Sequence, residues 1–188
     1  MEAAYELAGP IETERLVLRP FEEADLEAVL AMQTSPEVAR YLPWGPRTDA
    51  EAREALRKKI AAHVIRDEGD AISLAGVLKT TGELVADVVL WLASRAHQQG
   101  EIGYIVPPEL QGNGYATEAT RPLLRVAFEE VGLHRVVGRV EARHAASARV
   151  LEKLGMRREA HLVENEFVKS EWQSELVYAI LDREWRDG

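Results

Sequence analysis

Between Glu101 and Val131 the spacing of apolar positions changes from that of a strand to that of a helix, across a loop that carries two glycines. Glu101-Ile102-Gly103-Tyr104-Ile105-Val106 reads as a strand, and Pro107-Pro108 ends its hydrogen-bond ladder because proline has no N–H to give. Ala116, Ala119, Leu123, Ala127 and Val131 then recur at helical spacing. The turn between them, Gln111-Gly112-Asn113-Gly114-Tyr115-Ala116, opens directly into the helix. Glycines let backbone N–H groups approach a ligand closely. The unpaired donors of the first helical turn, together with the helix dipole, favour an anion such as a pyrophosphate. The pattern Q-x-x-G-x-A also fits an ordinary strand-to-helix turn, so its flanks have to decide.

Elsewhere the same reading gives a first strand over Thr13 to Arg19, closed by Pro20, and a short helix with acid in its first turn (Glu22, Glu23, Asp25) and an apolar stripe of Leu26, Val29 and Leu30. A proline-punctuated loop, Ser35-Pro36 to Pro46, leads to the capping box Thr48-Asp49-Ala50-Glu51. That box opens a helix with Ala52, Leu56, Ile60 and Val64 on one face, ended by Gly69. Ala71 to Lys79 and Leu84 to Leu92 predict a hairpin through Thr80 to Glu83. His134 to Ala142 predicts a strand, Ala145 to Leu154 a helix closed by Gly155, and Met156 to Val163 with Glu175 to Ile180 a closing antiparallel pair. This order implies an α/β (α+β) architecture: a mixed sheet covered by helices, with its one clear strand-helix-strand crossover around the glycine turn.

Length and charge narrow the function. The 188 residues suit one domain, with a core over about 11–184, and no cysteine is present to act as nucleophile, thiolate ligand or disulfide. The start, Met1 to Glu6, is acidic with no basic region ahead of an apolar stretch, and no segment has the length to span a bilayer. The chain therefore reads as soluble and cytoplasmic, without a membrane partner. A net charge of −9 argues against a nucleic-acid partner, whose phosphates need lysine and arginine, and suits a cationic one; it also serves plain solubility. The five histidines show no metal-ligand spacing, so no metal is expected.

Four segments taken together carry a family likeness: I-E-T-E-R-L-V-L-R-P from Ile11, E-I-G-Y-I-V from Glu101, Q-G-N-G-Y-A-T-E-A from Gln111 and A-A-S-A-R-V-L-E-K-L-G-M from Ala145. In this order and spacing the chain resembles the GNAT N-acetyltransferases and, within them, the RimJ/RimL-type protein N-terminal acetyltransferases. The resemblance implies a mostly antiparallel twisted sheet of about seven strands flanked by four helices, with central strands splayed to hold acetyl-CoA. It implies a pyrophosphate on the amides of Gln111, Gly112, Asn113, Gly114, Tyr115 and Ala116, and a pantetheine arm along Ile105 and Val106. The acceptor would be a primary amine, on a protein N-terminus or a small molecule, and related proteins commonly form homodimers.

Acetyl transfer needs a neutral amine, a polarised thioester carbonyl and a tolerated thiolate. A backbone N–H near Val106 is the implied polariser. Glu101, at the start of the strand that leads to the loop, is the preferred general base, ahead of Asp87 and Glu83; a solvated carboxylate at a strand end is the plain alternative. Ser147 is the implied proton donor to sulfur, or else a helix-capping serine. The position four residues on, tyrosine in many relatives, is Leu151 here, which leaves Tyr104 as a second donor candidate. Asparagine is usual where His144 stands, to contact the cofactor arm or cap the helix; histidine adds titration near neutral pH. Ser170 and Ser174 depart from the glycine and aspartate common in the closing hairpin. Pro122 interrupts the helix after the glycine turn, removing the bond to the Glu118 carbonyl at a cost of about 3 kcal/mol unless the helix bends. Among Trp44, Trp91, Trp172 and Trp185, Trp44 is the preferred acceptor-pocket residue. Two other readings stay open: an acyl-CoA-binding module without turnover, and a dinucleotide-dependent oxidoreductase, disfavoured by Thr117 where a third small residue is expected.

Overall fold

The computed structural model describes residues 4–187, so the acidic opening of the chain lies partly outside the described residues. A two-residue strand β1 (Tyr5–Glu6) pairs with β4 (Val64–Ile65), separate from the main sheet. The main sheet takes β2 (Ile11–Glu12), β3 (Leu16–Pro20), β5 (Ala71–Leu78), β6 (Leu84–Ser94), β7 (Gln99–Ile105), β8 (Arg135–Glu141), β9 (Arg157–Val168) and β10 (Glu171–Leu181). Its eight strands run in the order β2-β3-β5-β6-β7-β8-β10-β9, one more than the expected seven or so; the extra member, β2, is too short to leave a period in the sequence. Every neighbouring pair is antiparallel except β7 and β8. That parallel pair requires a crossover, which α4 (Tyr115–Arg125) supplies as the glycine turn predicts.

Helices cover both faces. α1 (Leu26–Thr34) and α3 (Asp49–Ala61), with the one-turn α2 (Pro36–Ala39) between them, pack Val29, Met32 and Leu56 with Phe21, Ala75 and Leu84. The larger core joins Leu90, Leu92 and Ile102 of the sheet to Leu123 and Leu124 of α4 and Leu151 of α5 (Ala145–Lys153). α5 sits so close to the sheet that a Cβ on Gly138 would lie 2.7 Å from Leu151 Cδ2, which explains a glycine in mid-strand. α6 (Asp182–Asp187) follows β10, and Trp185 packs near Phe128 while donating its indole N–H to Glu129.

Several elements differ from expectation, the short α2 inside the expected loop among them. α3 has the Thr48–Glu51 capping box but ends at Ala61, where Ala62 leaves helical geometry, so Val64 belongs to β4 and Gly69 (φ 90°) turns a later loop. β-branched Val64 and Ile65 gain strand partners that a longer helix would forfeit. β9 runs on to Val168, past the expected Val163, because it pairs with β10 to the hairpin tip. α4 passes through Pro122 and, one turn on, widens into a π-helical segment, Val126–Glu130, so the helix departs from regularity instead of staying straight.

Candidate active site

The two central strands separate at the point where the site forms. β7 and β8 pair from Gln99↔Arg135 to Ile102↔Gly138, and there the pairing ends, although both strands continue. Gly103, Tyr104 and Ile105 therefore face Arg139, Val140 and Glu141 across a gap, with backbone groups that a strand-like ligand can pair with. A cavity of about 1250 Å³ occupies this region, lined by Tyr104, Ile105, Val106, Gly112, Gly114 and Ser147 among others.

At the open end of β7, side chains brace the glycine loop and leave its backbone to the cavity. Gln111 Nε2 donates to the Val106 carbonyl (3.1 Å), and Asn113 Nδ2 to the Leu110 carbonyl (3.0 Å). Gly112 (φ 80°) and Gly114 (φ 84°) adopt left-handed backbone, which other residues enter at a cost. Gly114 is the N-cap of α4, and no side chain caps the helix, so the first-turn N–H donors are open. Glu118, the acid of that turn, is taken up elsewhere. It accepts from the Thr13 hydroxyl (2.6 Å), the Arg15 N–H (2.7 Å) and Arg15 Nε (2.7 Å), and Arg15 lies over the Tyr115 ring. Of the sequence-predicted cofactor residues, Ile105, Val106, Gln111, Gly112, Gly114, Tyr115, Ala116 and His144 line the cavity; Asn113 does not, and serves as a brace. Open amides beside unpaired strand backbone fit a diphosphate followed by an amide-bearing arm.

Glu101 projects from β7 into the same cavity, half-buried. Burial pushes its carboxyl above the usual range, Arg139 pulls it back, and Glu175 pushes it up again. Arg139 lies between the two acids, with Nε 3.3 Å from Glu101 and Nη1 2.8 Å from Glu175. Of the other carboxylates weighed, Asp87 is tied to Lys59 Nζ at 2.7 Å, and Glu83 is exposed in the turn before β6.

Ser147 is the third residue of α5, so it is not the helix cap; His144 holds that position and makes no side-chain capping bond. The Ser147 hydroxyl instead meets the Tyr104 hydroxyl at 2.9 Å, and Tyr104 also donates to the Ser147 carbonyl (2.8 Å). Burial raises the Tyr104 pKa, with the Ser147 bond opposing, so the phenol stays protonated through neutral pH. Burial lowers the His144 pKa, against the pull of Glu141, so its imidazole is neutral near pH 7 and stacks on Tyr41 at 4.4 Å.

A roof closes over the gap. Tyr41 comes from the loop after α2, and Lys169 Nζ, from the β9–β10 turn, donates to the carbonyls of Ala39 (2.7 Å) and Arg40 (2.9 Å). Lys169 and Ser170 turn that hairpin with φ of 51° and 65°, without the glycine usual there, and the Ser174 hydroxyl accepts from the Glu164 N–H (3.0 Å). Trp44 and Trp91 border the cavity, whereas Trp172 is exposed on the hairpin. The sequence reading missed Arg139, Glu141, Glu175, Tyr41 and Lys169. Its one available signal was Arg139 and Glu141 at alternate positions of a strand whose other charge is Arg135 at its start, which puts these charges on one face.

The sequence matches the acetyltransferase (GNAT) domain model over residues 15–157. The chain belongs to the GNAT acetyltransferase family. It is 34% identical over 176 residues to the uncharacterized N-acetyltransferase YnaD of Bacillus subtilis, covering 93% of this chain and 98% of the relative. The structure of a GNAT-family acetyltransferase from Bacillus anthracis superposes with a TM-score of 0.83 at 32% identity, covering 93% of this chain and 99% of the other. A spermidine N-acetyltransferase from Vibrio cholerae, solved with CoA and spermine, shares the fold at a TM-score of 0.78 and 23% identity, covering 93% and 99%. This GNAT protein is thus an acetyl-transferring enzyme of a family that uses acetyl-CoA. Among the described residues no cluster of metal-ligating side chains occurs, and no helix is long and apolar enough to cross a membrane.

Proposed function

We propose that this enzyme acts as a single domain that acetylates a primary amine, with Glu101 as general base and Ser147 as proton donor to the departing sulfur. The observation that carries this is the meeting of three features at one gap: unpaired backbone of β7, open amides at the start of α4, and a half-buried carboxylate raised by burial at the closed end. Acetyl-CoA, when bound, supplies the thioester. The loop from Gln111 to Ala116 would hold its diphosphate through backbone N–H groups, and Ile105 and Val106 would align its arm.

Glu101 takes the proton that the acceptor ammonium must lose before nitrogen can attack, either directly or through one water. Its raised pKa makes it a stronger base than a solvated glutamate. On the other side of the gap, Ser147 Oγ–H is the donor to sulfur, the Tyr104 hydroxyl 2.9 Å away positions it, and solvent returns the proton to Ser147 once the thiol has left. This division fits Leu151, which is fully buried against Gly138 and brings no hydroxyl.

The acceptor is a protein N-terminus, as in RimJ/RimL-type enzymes, or a small-molecule amine. A panel of N-terminal peptides, polyamines and aminoglycosides, assayed for acetyl-CoA turnover, tests the reading. Turnover lost in Glu101→Gln supports it, and tight CoA binding without turnover of any amine would favour a non-catalytic acyl-CoA-binding role.

A further inference from the structure

We propose that Glu141 docks a second cationic group of the acceptor, so that the preferred substrates are amines with at least two positive charges; this rests on the acetyl-transfer reading above. Glu141 ends β8 on the cavity wall, and its side chain is only 5% exposed. One carboxylate oxygen, Oε1, accepts from the Arg143 N–H (3.2 Å) and Nε (3.0 Å). The other, Oε2, is buried with no hydrogen-bond donor. Oε2 is closed to a water-sized molecule, so a donor in the cavity reaches it only when the Glu141 side chain turns toward it, a turn favoured because a buried charged acceptor left bare loses more than an ordinary hydrogen bond returns.

Position and charge say what that donor is. Arg139 and Glu141 alternate on one face of β8, and Arg139 contacts Glu101, so Glu141 faces the same side as the base. Val137 pairs with Glu101, and Glu141 lies four residues further on, about 13 Å along the strand at 3.3 Å per residue. The strands β7 to β10 line the cavity with Glu101, Glu141, Glu166 and Glu175 against the guanidinium of Arg139, and Lys169 of the β9–β10 turn also acts on Glu141. Arg143 offsets part of the Glu141 charge from the solvent side, but shares itself with Glu171. An ammonium has donors and charge to offer Oε2; a neutral or anionic group has not. Asp87, by contrast, is already neutralised by Lys59 and offers a cation no comparable place. One amine therefore reaches Glu101 for reaction while a second, at a fixed spacing, rests on Glu141, which predicts an optimum chain length and not a plain dependence on charge.

The test measures acetyl-CoA turnover with 1-aminobutane, 1,4-diaminobutane and longer α,ω-diamines, on wild type, Glu141→Gln and the exposed like-charge control Glu164→Gln. The best diamine should exceed its monoamine in kcat/KM by at least about tenfold, mainly through KM, from one charge-assisted hydrogen bond. Glu141→Gln should bring that ratio near one, and Glu164→Gln should keep it. Equal use of monoamines and diamines by wild type, or a ratio untouched by Glu141→Gln, overturns the proposal. Calorimetric titration of the same diamines into CoA-saturated protein is independent of chemistry. Affinity weakened at least about tenfold in Glu141→Gln supports docking even if no amine is acetylated, a result that would count against the acetyl-transfer reading alone, and absence of diamine binding to wild type refutes docking.

Discussion

The two sides of the β7–β8 gap are built by opposite means. On the α4 side, recognition rests on backbone: unpaired groups of Gly103 to Ile105, left-handed glycines and open amides, with Gln111 and Asn113 spending their side chains on bracing the loop. Toward β8–β10 it rests on side chains whose charges interlock, Glu101 of β7 with Arg139, Arg139 with Glu175, Glu141 with Arg143. Backbone recognition suits a ligand that never changes, because amides and φ angles tolerate little variation. A charged wall can be re-patterned by single substitutions, which suits the half of the site that selects the acceptor.

The sharpest break in this contrast is Glu101→Gln, which removes the base from the side-chain wall and leaves the backbone wall untouched. Turnover should fall by about 10²- to 10³-fold with CoA affinity nearly unchanged, read from kcat and from calorimetry side by side. An unaltered kcat would move the base to solvent or to another carboxylate.

Arg139→Gln should sharpen the comparison through pH. A base works ionised, so activity is lost as pH falls through the Glu101 pKa, which burial places above that of an ordinary glutamate. Without the guanidinium, Glu101 and Glu175 are left facing each other and the pKa rises further, so the acidic limb of kcat/KM should move to higher pH and activity below it should fall. A limb that stays in place would mean that it reports some other group.

Ser147→Ala is the smallest expected effect. A cysteine thiol has a pKa of about 8.5 and a plain alkyl thiol is no more acidic, so assistance by a hydroxyl matters more at pH 7 than at pH 9, and turnover should fall several-fold at the lower pH and less at the higher. Since Ser147 is not the cap of α5, its melting temperature should change little. A loss equal at both pH values would leave Ser147 as a support for Tyr104 only.

The same contrast governs how much the sequence disclosed. Strands and helices with several apolar repeats, such as β7, α4 and α5, were legible because period alone specifies them. So was the glycine loop, since left-handed backbone demands particular residue types at particular places. β1, β2 and β4 have two residues each and leave no period, and Val64 continued the spacing of α3 although strand pairing claims it. Glu101 was singled out for its place at an expected strand start, although β7 begins two residues earlier, at Gln99. Its partners Arg139 and Glu175 lie 38 and 74 positions away in the chain and meet it only through sheet order. The stack of His144 on Tyr41 joins segments about a hundred positions apart and was equally hidden.

The central claim is that backbone amides of the Gln111–Ala116 loop hold the diphosphate of acetyl-CoA, and calorimetric titration of CoA against pantetheine, which lacks the diphosphate, tests it most directly. In Gly114→Val a branched side chain is forced onto a residue at φ 84°, a left-handed conformation that a β-branched residue strongly resists, so the loop must shift. For a variant that still melts cooperatively, the predicted result is a CoA affinity reduced toward that of pantetheine, with pantetheine affinity itself little changed. CoA binding as tight as in the wild type would contradict the account and place the diphosphate elsewhere.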